Sequence, residues 1–197
     1  MSKLKCVCVF CGSSPGHDPA YAQAARAMGR VLAARGITLV YGGGRVGMMG
    51  AIAQAALDAG GKVIGVIPEA LKRKELASDD LTQLHIVQTM HERKQLMADL
   101  ADAFIAMPGG FGTFEEFCEI LTWAQLGLHA KPIGLLDVHG YFAPLVAMVD
   151  RAVAERFVRP EHRALLLHGI AAETLLDAMA AWWPPSAPAK WIGRDDT

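Results

Sequence analysis

Short apolar runs alternate along this chain with longer segments of helical period, and few folds accommodate that rhythm. Runs at 4–10, 37–41, 62–67, 84–87, 103–107 and 132–136 predict strands, with a weaker one at 165–168. Helices are predicted between them at 19–35, 48–59, 90–100, 113–126, 141–156 and 171–183. Strands this apolar are expected to be buried on both faces, and strands alternating with helices pair in parallel through right-handed crossovers. The fold class predicted is α/β: a Rossmann-like, doubly wound parallel sheet flanked by helices, in one domain over 1–183. Residues 184–197, with Pro184, Pro185 and Pro188, read as a C-terminal tail.

Composition limits the partners. With 197 residues, 52% of them hydrophobic and 20% charged, the chain has enough apolar surface for a core of ordinary size. Its formal net charge of −1 lacks the basic excess of a nucleic-acid binder. No apolar run reaches the ~18 residues of a membrane helix. The apolar run at 6–11 behind Lys3 and Lys5 is too short for a signal peptide, so the expected location is the cytoplasm. Cys8 and Cys11 form a C-x-x-C, but within a strand their side chains point to opposite faces and cannot bridge. A redox pair belongs at a helix start and a zinc site needs a second ligand pair, so the cysteines are expected to be free thiols of a reducing compartment. The seven histidines show no ligand-like helical spacing, and no metal is expected.

In a sheet of this kind ligands bind beyond the carboxyl ends of the strands, where the strand-to-helix loops lie. Three of those loops are rich in small residues: Gly12-Ser13-Ser14-Pro15-Gly16, Gly42-Gly43-Gly44-Arg45-Val46-Gly47 and Pro108-Gly109-Gly110-Phe111-Gly112-Thr113. Glycines bring backbone close to a ligand, and the helix after the third loop offers unpaired N–H groups and a positive dipole end. Together they predict a phosphate site, with first-turn N–H groups near Phe114 and Glu115 facing the anion. The loops match neither G-x-G-x-x-G nor the Walker pattern, and there is no G-x-S-x-G elbow, which disfavours dinucleotide, triphosphate and serine-hydrolase chemistry.

Two charged residues stand out in their helices. Thr113-Phe114-Glu115-Glu116 is a T-x-x-E capping box, in which Glu116 serves only the backbone of Thr113. The helical wheel offers another role. Phe114, Phe117, Cys118 and Leu121 share one apolar face, whereas Glu116 lies nearly opposite, with Ile120 and Trp123, beside a second covered surface taken as a subunit interface. Arg93 projects from the apolar stripe of Met90, Leu96, Met97 and Leu100, with Lys94 at the edge. An inward guanidinium cannot shed its charge, so it either snorkels to water along its own stem or meets an anion such as Glu116. Lys72-Arg73-Lys74 reads as a solvated loop, and Glu75 within it has no distinguishing local feature.

These motifs are similar to those of a known family. Residues 41–50 (Tyr-Gly-Gly-Gly-Arg-Val-Gly-Met-Met-Gly), 90–94 (Met-His-Glu-Arg-Lys) and 108–116 (Pro-Gly-Gly-Phe-Gly-Thr-Phe-Glu-Glu) resemble the LOG ("Lonely Guy") family of cytokinin riboside 5′-monophosphate phosphoribohydrolases. The first loop (10–14) and Thr122-Trp-Ala-Gln-Leu-Gly127 match as well, and the likeness runs to about Arg159. The resemblance implies a Rossmann-like homodimer with its active site at the subunit interface. It also implies a catalytic pair of Arg93 and Glu116. Substrate contacts would come from Glu75, Lys94, Gly110, Phe111, Gly112, Thr113, Phe114, Glu115 and Thr122. Arg45, Met48 and Phe111 depart from the family pattern and bear on substrate preference. Some members carry the name lysine decarboxylase, but no lysine here sits in a recognisable pyridoxal-phosphate setting, and no cofactor is expected.

The reaction the resemblance implies is hydrolysis of the bond between a purine N9 and C1′ of ribose 5-phosphate. The substrate would be an adenosine 5′-monophosphate, N6-substituted or plain, and the products a free cytokinin or adenine and ribose 5-phosphate. The rival readings are a non-catalytic carrier of a nucleotide or of the molybdenum cofactor, which shares this fold and these loops, and a plain AMP nucleosidase.

Overall fold

The computed structural model describes residues 4–72 and 80–185. Seven strands form a single sheet: β1 (Cys6–Phe10), β2 (Thr38–Tyr41), β3 (Val63–Pro68), β4 (Gln83–Val87), β5 (Ala103–Ala106), β6 (Ile133–Leu136) and β7 (Leu166–Gly169). The helices are α1 (Pro19–Ala34), α2 (Gly47–Asp58), α3 (Glu69–Lys72), α4 (Met90–Leu100), α5 (Phe111–Gln125), α6 (Ala143–Ala154), α7 (Pro160–Arg163) and α8 (Ala172–Ala181). Every predicted strand and helix is present. The single turns α3 and α7 were not predicted, because four residues are too few to show a helical period.

The strand order is β4-β3-β2-β1-β5-β6-β7, and every adjacent pair is parallel. The order therefore reverses between β1 and β5, the switch point at which such sheets open a crevice beyond their carboxyl ends. Alternation along the strands divides the core in two. Val7, Val9, Leu39, Tyr41 and Ile105 pack with α1, α2 and α8 on one face. Cys8, Phe10, Val40, Val66 and Phe104 pack with α4 and α5 on the other. Cys8 and Cys11 thus lie on opposite faces, as expected, and all four cysteines are free. Phe104 stacks on Phe10 at 6.2 Å; truncating so buried a ring to alanine costs about 3–5 kcal/mol.

Burial of every strand on both faces does not hold. The sheet edges β4 and β7 are half-exposed, because an edge strand has a neighbour on only one side. Among the described residues no helix is long and apolar enough to cross a membrane.

Candidate active site

Three glycine loops meet at the switch point, and their backbones hold one another. The Gly12 N–H donates to the Pro108 carbonyl at 3.1 Å, while the Gly12 carbonyl accepts from the N–H groups of Met48 and Met49 at 3.1 and 3.2 Å. Close approach explains two of the glycines. A Cβ on Gly47, where φ is +64°, would fall 2.3 Å from the Ser13 carbonyl, and one on Gly109 would fall 2.2 Å from the Thr113 hydroxyl. At Gly110 and Gly112 a Cβ would meet nothing within 4 Å, so these two face open space. That space is a cleft of about 220 Å³ lined by the first loop (Cys11, Gly12 and Ser13), Met49, Arg93, the run 110–113 and Glu116.

The start of α5 differs from the predicted one. The helix begins at Phe111 with Gly110 as its N-cap, and no side chain caps it. Thr113 is therefore inside the first turn, and the T-x-x-E capping box does not form. The Phe114 N–H is already bonded to the Gly110 carbonyl at 3.1 Å. The N–H groups that α5 leaves outside its own ladder are consequently those of Phe111, Gly112 and Thr113 rather than those near Phe114 and Glu115. The predicted wheel is also corrected. The buried face of α5 is Thr113, Glu116, Phe117 and Ile120, whereas Cys118 is exposed. Glu116 belongs to the inward face, at its open end.

Arg93 owes its place to a side-chain-capped helix start one helix earlier. Thr89 accepts from the Glu92 N–H at 3.1 Å and the Glu92 carboxylate accepts from the Gln88 N–H at 2.9 Å, which fixes the first turn of α4. Arg93 then points into the sheet edge and is only 6% exposed, so it does not snorkel. Its Nε donates to the Val66 carbonyl at 3.1 Å and its Nη2 to the Gly42 carbonyl at 3.3 Å. Nη1 lies 3.5 Å from Glu116 Oε1, an ion pair looser than a short charge-assisted hydrogen bond. Two backbone carbonyls thus clamp a charge beside an acid that is itself only 8% exposed. The Cys11 thiol in the cleft wall has its pKa raised, first by burial and then by the Glu116 carboxylate, so it stays protonated.

The glycine at 42 makes room for this clamp. A Cβ there would fall 2.1 Å from Arg93 Nη2. Gly42→Ala is expected to push the guanidinium aside, keep the fold and lower turnover by about 10²-fold, the cost of misplacing a group by an ångström. Steady-state kinetics beside a thermal melt check this.

A family model described as possible lysine decarboxylase matches residues 49–179. The probable cytokinin riboside 5′-monophosphate phosphoribohydrolase LOGL9 of Oryza sativa subsp. japonica is 49% identical over 183 residues, which span 93% of this chain and 81% of the relative. The chain belongs to the LOG family. The cytokinin riboside 5′-monophosphate phosphoribohydrolase LOG1 of Arabidopsis thaliana is 46% identical over 93% of this chain and 86% of its own. The molybdenum cofactor binding protein of Rippkaea orientalis shares the fold, with a TM-score of 0.68 at 22% identity over 90% of this chain and 96% of that one.

The remaining LOG motif residues do not all enter the cleft. Gly110, Phe111, Gly112 and Thr113 line it. Lys94, one residue and about 100° of helix from Arg93, turns the other way. Its ammonium binds Glu115 at 2.5 Å and Glu119 at 3.0 Å. Burial acts to lower its pKa, but these two hydrogen bonds outweigh it and hold the group above its usual value. Lys94 and Glu119 belong to a separate groove of about 600 Å³ between α4 and α5, which includes His91 and Trp123 and contains neither Arg93 nor Glu116. Thr122 is exposed, donates to the Cys118 carbonyl at 2.7 Å, and lies roughly 9 Å along α5 from Glu116. Phe114 is half-buried against Tyr141. Glu75, with Arg73 and Lys74, lies outside the described residues. Sequence reasoning missed Met49 as a lining residue, and it missed the carbonyls of Val66 and Gly42, which leave no mark on residue type.

Proposed function

We propose that this LOG-family chain hydrolyses the N-glycosidic bond of adenosine 5′-monophosphates, including N6-substituted ones, to free cytokinin or adenine and ribose 5-phosphate. The observation that carries this reading is the Arg93–Glu116 pair in the wall of the same small cleft as the uncapped start of α5. Relatives named as phosphoribohydrolases support it. The N–H groups of Phe111, Gly112 and Thr113 hold the 5′-phosphate, and this remote binding energy orients C1′ toward Glu116. Water attacks C1′ while the bond to N9 breaks, and the electron pair leaves with the purine, which takes up a proton from solvent to become the neutral base. Glu116 offsets the positive charge that develops on the sugar and takes the proton of the attacking water. Arg93, pinned to two carbonyls, holds Glu116 ionised and correctly turned.

Homodimerisation belongs to the same reading. Phe111, Glu115, Cys118, Thr122 and Leu126 form an exposed row along α5, and Phe111 is 91% exposed at the cleft mouth. A second copy covering this row closes the cleft and brings Glu115 and Thr122 into reach of substrate.

The test is chromatography of reactions with AMP and with isopentenyladenosine monophosphate. Release of free base together with ribose 5-phosphate is expected, and light scattering should show twice the chain mass. A protein that binds either nucleotide and returns it intact is a carrier. Release from AMP alone makes it a plain AMP nucleosidase.

A further inference from the structure

A fourth loop reaches the same sheet edge. Between β6 and α6 the chain makes a tight excursion in which His139 has φ +53° and Gly140 φ +74°. It is held from below by the buried Asp137, whose carboxylate accepts from the Phe142 N–H at 2.9 Å and pairs with His168 at 3.1 Å. The loop delivers Tyr141. That ring is fixed on three sides: edge-on to Tyr21 at 5.8 Å, stacked on Phe114 at 6.4 Å and edge-on to Phe142 at 5.1 Å. Its hydroxyl donates to the Gly109 carbonyl.

That acceptor matters because of the peptide it belongs to. The Gly109 carbonyl and the Gly110 N–H share one trans peptide unit and point in opposite directions. A donor holding the carbonyl on the protein side aims the N–H away from it, on the side of the cleft that Gly110 lines. Gly109 permits the close approach to Thr113, and with a glycine on each side the plane of this peptide has little side-chain restraint on its rotation. A hydrogen bond accepted by the carbonyl further polarises the amide and strengthens its N–H as a donor.

We propose that Tyr141 is a positioning residue for the phosphate cradle: its hydroxyl locks the Gly109–Gly110 peptide so that the Gly110 N–H joins those of the α5 first turn on the 5′-phosphate. This rests on the nucleotide reading given above. Tyr141 touches no reacting atom, and it acts on anion affinity rather than on bond cleavage.

The experiment is titration calorimetry of the full chain with ribose 5-phosphate and with adenine, for wild type, Tyr141→Phe and Tyr21→Phe. The phenylalanine at 141 keeps the ring contacts and removes only the hydroxyl. Ribose 5-phosphate affinity is expected to fall about fivefold, the worth of one net hydrogen bond. Adenine affinity should stay unchanged, and KM for AMP should rise by the same fivefold with kcat within about twofold. Tyr21→Phe should match wild type on every measure. Unchanged ribose 5-phosphate affinity in Tyr141→Phe overturns the assignment. So does an equal loss for both ligands, which makes the hydroxyl a general support of the loop. A wild-type protein that binds no ribose 5-phosphate sinks the nucleotide reading itself, which separates the two failures.

Discussion

Glu116→Gln is expected to fold normally and release base about 10³-fold more slowly than wild type. The amide has the shape of the carboxylate, so the packing of a residue only 8% exposed is preserved. It carries no charge to offset a cationic sugar, and it takes no proton from water. The competing role, backbone capping, is closed off by the position of the helix start. Gly110 is the N-cap and Thr113 lies inside the first turn, so Glu116 caps nothing there and no loss of about 1 kcal/mol from a cap is in prospect. Single-turnover chromatography with AMP, beside a binding titration, separates the effects. Affinity should stay within a few-fold while turnover collapses. Turnover within tenfold of wild type would return Glu116 to a structural role.

Arg93→Ala is expected to damage both activity and stability. The guanidinium satisfies the carbonyls of Val66 and Gly42 and pairs with Glu116, all in a buried setting. Its removal leaves two buried carbonyls without this donor and takes an ion-pair partner from a buried carboxylate, changes worth about 3 kcal/mol or more together. For a chain of this size each kcal/mol moves the melting midpoint by about 2–4 °C, so a fall of about 6–12 °C is expected. Turnover should fall about 10²–10³-fold, because the acid loses the group that orients it. Arg93→Lys should recover part of the stability and little of the activity, since an ammonium supplies the charge but not the planar fork that reaches two carbonyls at once. A melt and a rate for each variant check this. Near-normal turnover in Arg93→Ala would remove the pair from the chemistry.

The doubly wound parallel sheet was legible because buried parallel strands are plain apolar runs and glycine loops punctuate their ends, whereas the strand order that sets the switch point between β1 and β5 was not. The inward Arg93 was legible as a charge within an apolar stripe. The start of α5 was not. Thr113-x-x-Glu116 is a stronger capping signature than a bare glycine, whose role as N-cap Gly110 rests on backbone conformation alone. The wheel of α5 misplaced Glu116 because Phe114 and Cys118 look like core by type yet lie half-buried and exposed. Tyr141 was silent because a tyrosine beside Phe142 reads as ordinary core packing, and its hydroxyl contact spans 32 residues of sequence. Glu115 and Thr122 were reachable only through the family motif. In the structure they lie outside the cleft.

The decisive measurement is a crystal structure of Glu116→Gln with AMP bound. The 5′-phosphate should rest on the N–H groups of Phe111, Gly112 and Thr113, with C1′ facing residue 116 and the guanidinium of Arg93 behind it. A nucleotide seated instead in the groove between α4 and α5, or with its phosphate turned away from the α5 start, would show that the cleft at the switch point is not where the bond is broken.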